Sequence, residues 1–231
     1  MKNILLILII FIFFNCSLFI PKKIKEYKNP YLLLEEYKKI MQYSINVDNI
    51  ISTFYNDTYY KGKILSEISP KINKTILTAS FGIKILEFQA DSSSIKLTTN
   101  MPSRQTKKYN FKNNIYGIKL NKNIIDCILL NIPLILENDI LKQAKIKNNT
   151  LNVIYTDYNI NYYFDKKNTK IDSIIISNQK KNINVKLVYS QYSIWENLYL
   201  PTKTLIYTKI RNKRNKIILN LIKRTKKSLD R

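Results

Sequence analysis

Histidine is absent from all 231 residues, which removes Ser-His-Asp hydrolysis, Cys-His nucleophiles and histidine-based metal sites together. Glycine occurs only three times, and no G-x-G-x-x-G or Walker-type loop can be built from it, so the usual routes to nucleotide phosphates are closed. Cysteine occurs twice, at Cys16 and Cys127, too few for a disulfide framework if one of them is otherwise engaged. Cys127 lies in "IIDCILLNIPLI", where a thiol behaves as a small hydrophobe. Acidic residues are scarce, 16 against 39 Lys and Arg, for a formal net charge of +23. Two carboxylate pairs deserve a hearing as acid/base candidates. Glu35 and Glu36 are adjacent on a helix and do not face each other, while Asp157 and Asp165 sit at hairpin ends where turn chemistry accounts for them. A Ser-Lys arrangement stays open in composition, though nothing in the sequence marks one; no catalytic residue, metal ligand or cofactor is assigned, and the chain reads as a non-enzyme.

What is present begins with "MKNILLILIIFIFFNCS". The apolar run from Ile4 to Phe14 is too short for a bilayer, which takes roughly 20 residues, but it suits the core of a secretory signal. A cysteine at the end of such a run points to a bacterial lipoprotein, with residues 1–15 removed and Cys16 acylated as the lipid anchor. Phe13 and Asn15 stand where a lipobox has Leu and a small residue, so a plain signal peptide or an uncleaved anchor is the alternative. Residues 16–29 form a basic tether without apolar periodicity, and 30–231 are long enough for one domain with a sizeable core. Abundant Lys, Asn, Ile and Tyr are what an AT-rich genome supplies, so the charge alone does not imply nucleic acid. An exported, lipidated chain would turn it toward anionic membrane surfaces.

The domain opens with "PYLLLEEYKKIMQYSIN", in which Leu33, Leu34, Tyr37, Ile40 and Met41 recur at helical spacing behind Pro30. A second short helical piece is expected through "VDNIISTFY". Short alternating runs follow: "TYYKGKILSEI", "KTILTAS", "IKILEFQ", "SIKLTTN" and "QTKKYNF", separated by turn clusters. "LNKNIIDCILLNIPLILENDILKQA" switches to helical spacing until Pro133 limits it, predicting one or two helices against the sheet. Strands resume from Lys145, ending in "TKTLIYTKIR" and "NKIILNLIK". The expected fold class is α+β: a strongly curved antiparallel sheet of about eleven strands, forming an incomplete barrel lidded by helices. Large apolar residues occupy both registers of the later strands, which fits either a packed core or a wall around an apolar ligand.

The element order resembles the LolA/LolB class of lipoprotein-carrier folds, and most of all the lipid-anchored LolB-like outer-membrane receptors. The likeness rests on "LTASFGIKILEFQADSSSIKLTTN", on "YGIKLNKNIIDCILLNIPL" for the central helices, and on "SIWENLYLPTKTLIYTKIRNKRNKIILNLIK" for the closing strands, where Leu200 and Pro201 open a strand. In that family a bulky apolar residue before a glycine projects from the barrel and aids transfer to the membrane; Phe81 and Gly82 hold those places here, with Ser80 where a proline is common. The resemblance implies a protein that binds acyl chains of lipoproteins or lipids in an apolar cavity and delivers them to the outer membrane. Its implied partners are membrane lipid, lipoprotein acyl chains and a soluble periplasmic lipoprotein carrier, with no nucleic acid. Candidate cavity residues are Leu77, Ile83, Ile85, Phe88, Ile95, Leu97, Ile174, Ile176, Val185, Leu187, Trp195 and Ile206. A structural or assembly lipoprotein of the same fold, its interior filled by its own side chains, is the competing expectation.

Overall fold

The computed structural model describes residues 26–27, 29–55, 58–100, 103–111, 121–136, 138–141, 143–155, 157–210 and 213–227. The expected signal segment, Cys16 and most of the tether lie outside them. Helix α1 (Pro30–Ile40) starts where Asn29 accepts a hydrogen bond from Tyr31 N–H at 2.9 Å and Pro30 fills the first turn. It buries Leu33, Leu34, Tyr37 and Ile40, the stripe expected from the spacing. No helix among the described residues is long and apolar enough to cross a membrane.

Thirteen strands form one sheet: β1 (Ile45–Tyr55), β2 (Thr58–Ile68), β3 (Asn73–Thr78), β4 (Lys84–Ala90), β5 (Ser94–Thr99), β6 (Gln105–Asn110), β7 (Lys145–Lys147), β8 (Thr150–Tyr155), β9 (Tyr158–Phe164), β10 (Ile171–Asn178), β11 (Ile183–Trp195), β12 (Leu198–Ile210) and β13 (Lys213–Lys226). Their order is β6-β5-β4-β3-β2-β1-β13-β12-β11-β10-β9-β8-β7, and every neighbouring pair is antiparallel. Two meanders thus meet along β1 and β13, and the excursion between them carries α2 (Lys122–Leu129) and the single turn α3 (Asn138–Leu141). The sheet is open, with β6 and β7 as its edges; β6 is exposed throughout and guards its edge with Lys107 and Lys108.

Two expectations need correcting. Among the described residues the strand count is thirteen, not about eleven, because β7 is too short to read from sequence and because "VDNIISTFY" is strand, not helix. In that segment Ile45, Val47, Asn49 and, less completely, Ile51 face inward at a spacing of two, and β-branched residues favour the pleated surface over the helix. Elsewhere the alternation held. Along β9, Tyr158, Ile160, Tyr162 and Phe164 are buried, and along β2, Ile64, Ser66 and Ile68. Gly62 precedes them because a Cβ there would stand 2.7 Å from the Thr78 carbonyl oxygen. A register shift after Ile171 puts both Ile171 and Ile174 inside, so the odd-even reading of β10 fails across that bulge.

Helix α2 lies over the inner face of the sheet. Asn121 caps it by accepting from Ile124 N–H at 2.9 Å. It ends in a Schellman arrangement: Asn131 adopts φ 54°, and Ile132 N–H donates to Cys127 O at 2.9 Å. Pro133 follows directly and prevents continuation. Residues Leu130 to Ile135 then run as a buried, non-helical stretch beneath which the sheet curves.

Candidate functional site: an apolar cavity beneath the central helix

The space between α2 and strands β10 to β13, β1 and β2 holds a cavity of about 360 Å³, within the roughly 300–1,000 Å³ typical of ligand sites. Its wall is built from alternate residues of neighbouring strands: Ile176 on β10, Val185, Leu187 and Tyr189 on β11, Thr204, Ile206, Thr208 and Ile210 on β12, Ile217 and Leu219 on β13. Asn49 and Ile51 on β1 and Ile64 on β2 complete the sheet side, while Ile124, Cys127, Ile128, Leu129, Asn131, Ile132 and Leu134 close it from the helical side. Exposure is graded along it. Cys127 and Leu129 on α2 and Tyr189 and Leu219 beneath it are buried, whereas Ile176, Val185, Thr208, Ile210 and Ile217, nearer the strand ends, are only half-buried. The cavity therefore opens at the end of the strands away from α2.

The few polar groups in the wall are mostly spent on protein. Asn49 Nδ2 donates to Leu129 O at 2.7 Å, Thr204 Oγ1 donates to Asn131 Oδ1, and Leu134 N–H donates to Tyr189 Oη at 3.3 Å. Asn49 Oδ1 and Asn131 Nδ2 are left without partners among the described residues. Burial pushes the Cys127 thiol up to about 12, so it stays protonated and serves as apolar wall rather than nucleophile. Beside the cavity, Arg224 on β13 donates from Nη2 to Leu130 O at 2.5 Å and to Asn131 O at 3.4 Å, tying the helical cover to the sheet. Arg224 points inward because the register shift between Asp48 and Asn49 turns it to the face that Leu221 also occupies.

Of the candidate cavity residues, the structure brings Ile176, Val185, Leu187 and Ile206 together in this wall. The others lie elsewhere. Ile174 is wholly buried in the core; Leu77 and Phe88 are half-buried against the core but outside the cavity. Ile95 and Leu97 are half-buried on β5, paired with Ala90 and Phe88, and Ile85 is half-buried on β4. Ile83 is 47% exposed in the turn before β4, which corrects its placement as a lining residue. Trp195, at the far end of β11, packs edge-on against Tyr43 and beneath Arg224, and likewise does not line the cavity. The reading of residues along the strands missed Asn49, Cys127, Ile128 and Tyr189; inward alternation could have flagged Tyr189 beside Leu187.

The two carboxylate pairs stay apart. Asp157 and Asp165 lie at opposite ends of β9, and Glu36 pairs with Lys39 at 3.0 Å while Glu35 is exposed. Among the described residues no cluster of Cys, Asp and Glu could hold a metal ion.

The second candidate element is the turn between β3 and β4. Ala79 N–H donates to Ile83 O at 2.8 Å, closing a loop in which Phe81 (φ 62°) and Gly82 (φ 73°) both adopt left-handed backbone. Gly82 does so freely, but an aromatic residue there is strained by on the order of 1–3 kcal/mol. The Phe81 side chain is fully exposed, at 101%.

No protein-family model matches the chain, and no curated protein matches it either. Solved structures do. A LolA superfamily protein from Nitrosomonas europaea superposes with a TM-score of 0.57 at 13% identity, covering 88% of this chain and 96% of that one. The fold is LolA-like. An outer membrane lipoprotein-sorting protein domain from Vibrio parahaemolyticus matches with a TM-score of 0.54 at 12% identity over 88% of this chain and 95% of that one. A DUF1329 family protein from Desulfovibrio piger matches with a TM-score of 0.52 at 9% identity over 87% and 92%. The LolA-like architecture, a curved open sheet with its inner face covered by helices, is common ground; nothing in these likenesses singles out the LolB-like receptors.

Proposed function

We propose that the chain is a lipid-anchored envelope protein that holds acyl chains of lipoproteins or lipids in the cavity and delivers them to the outer membrane. In this reading Cys16 is acylated, a soluble periplasmic carrier supplies the cargo, and Phe81 with Gly82 enters the bilayer during delivery. The observation that carries it is the cavity: an aliphatic channel, closed under α2 and open at one end, with hardly a polar atom free along its wall. Hydrocarbon gains about 0.8 kcal/mol per buried methylene, so about ten methylenes contribute roughly 8 kcal/mol with no polar chemistry.

The strained, exposed Phe81 supports the delivery step, because a bulky residue held in an unfavourable backbone region to reach solvent has no role in the core. Native mass spectrometry of the full chain, gently extracted, is expected to show bound lipid, and Ile206→Trp, which fills the cavity from β12, is expected to lose it. A wild-type protein free of lipid would favour the structural role instead. Labelling with a fatty-acid probe, against Cys16→Ala, tests the anchor. Depletion in the cell should strand lipoproteins at the inner membrane.

A further inference from the structure

Antiparallel alternation sends the hairpins of β1–β2, β3–β4, β5–β6, β8–β9, β10–β11 and β12–β13 to one rim of the sheet, here the tip rim. The remaining hairpins, and the start of α2, lie at the opposite base rim, where Lys122 Nζ donates to Ser69 O at 2.7 Å. Ile210, the last residue of β12, belongs to both the tip rim and the cavity wall, so the open end of the cavity is at this rim.

Charge is distributed unequally between the rims. At the base, Glu26 pairs with Lys167, Glu67 with Lys227, Asp172 with Lys170 and Glu196 with Lys226, while Lys71, Lys147 and Lys166 form no ion pair among the described residues. At the tip, Arg104, Lys180, Lys209, Lys213 and Arg214 form no ion pair among the described residues; Lys84 and Lys181 are matched by Glu87 and Asp157, and Asp57 lies outside the described residues. Lys209 stands directly across from Arg214, an arrangement in which like charges repel and cost stability. The base thus matches four of its cations and the tip two, and the tip keeps the larger unmatched positive charge. The repulsion persists at the rim that also presents Phe81 and surrounds the open cavity.

We propose that this rim docks on the headgroups of an anionic phospholipid bilayer, seating the open end of the cavity against the membrane with Phe81 between the headgroups. Basic side chains gain from the negative surface potential only within a Debye length, about 8–10 Å, so they act when the rim faces the bilayer end-on. The purpose of such docking rests on the carrier reading, but its measurement does not.

The test uses the full chain and vesicles of phosphatidylcholine with and without phosphatidylglycerol. The ratio of binding to the two vesicle types cancels whatever the apolar N-terminal segment contributes to both. The triple variant Lys209→Gln, Lys213→Gln, Arg214→Gln is expected to lower that ratio about a hundredfold, three residues at roughly fivefold each. The charge-matched base-rim control, Lys71→Gln, Lys166→Gln, Lys167→Gln, is expected to change it less than about threefold, because those residues are turned from the bilayer. Equal losses in the two variants, or none in the first, would overturn the proposal. So would rim-dependent displacement from the vesicles by an oligonucleotide at matched phosphate concentration, which would assign the rim to nucleic acid. Lipid content by native mass spectrometry separates the two readings: lipid-free protein with rim-dependent binding defeats only the carrier, and lipid-loaded protein with rim-independent binding defeats only the docking.

Discussion

The base rim of the sheet spends more of its polar residues on order than the tip rim does. At the base, Asp91 accepts from Ser93 and Ser94 N–H at 2.7 and 2.8 Å, and Asp165 accepts from Thr169 and Lys170 N–H at 2.7 and 3.0 Å, so each carboxylate folds its own turn. At the tip, the β3–β4 turn instead contains a strained aromatic residue, and the β12–β13 hairpin opposes two cations. The difference teaches where stability has been relinquished: at the end where the cavity opens and not where the helices are fixed. Loss of a bonded polar group at the base should therefore cost stability, and substitutions at the tip should leave the protein folded or improve it.

The largest effect is expected at the buried pair that fixes α2 to the base. Lys122 and Asp126, one turn apart and both buried, form an ion pair; Asn73 Nδ2 donates to Asp126 at 2.6 Å. Burial raises the Asp126 carboxyl above its ordinary range despite those hydrogen bonds, which measures how much the site depends on its partners. Asp126→Ala leaves Lys122 buried without a counter-charge and should destabilise the protein by about 3–5 kcal/mol in urea unfolding. Arg224→Met comes next. Its guanidinium, which burial lowers to about 10 but leaves charged at neutral pH, holds the Leu130 and Asn131 carbonyls. The loss should be about 1–3 kcal/mol, with faster hydrogen exchange at residues 129 to 135 than in β9.

This asymmetry also governs what could be read in advance. Strands with an unbroken inward alternation were legible, and so were Ile176, Val185, Leu187 and Ile206 as neighbours on one face. β1 was not, because Asp48 and Asn49 interrupt its apolar residues, and Asn49 is inward only because Leu129 O awaits it across the cavity. The cavity itself was legible in kind but not in place. Its volume exists because α2 and the stretch after it stand off the sheet, held there by Lys122, Asn73, Asn49, Thr204 and Arg224, and such ties join residues up to 94 positions apart. Phe81 beside Gly82 was noticeable from sequence because a large residue abuts a rare glycine; that Phe81 itself takes the left-handed conformation was not.

A smaller effect separates the rims by pH. The Asp91 carboxyl is held down to about 2 by the Ser93 and Ser94 hydrogen bonds, below its unfolded value near 3.8. Its contribution is thus complete above the unfolded value and disappears as pH falls through 2. Asp91→Ala should cost about 1 kcal/mol at neutral pH and less at the acid end, where the wild-type carboxyl is protonated and accepts those hydrogen bonds more weakly. An NMR titration that finds an ordinary carboxylate midpoint would remove the cause.

The smallest change in stability should have the opposite sign. Phe81→Asn replaces a residue that resists φ 62° with one that tolerates it, and no packing is lost because the ring touches solvent alone. The folded state should gain up to about 1 kcal/mol, visible as a raised urea midpoint with an unchanged slope. Delivery of lipid to acceptor vesicles should fall in the same variant, whereas Phe81→Glu should impair delivery without unfolding the protein. Greater stability with unimpaired delivery would strip the turn of its role and leave its strain unexplained. Lower stability would mean that Phe81 packs, and the contrast between the two rims would then end at that turn.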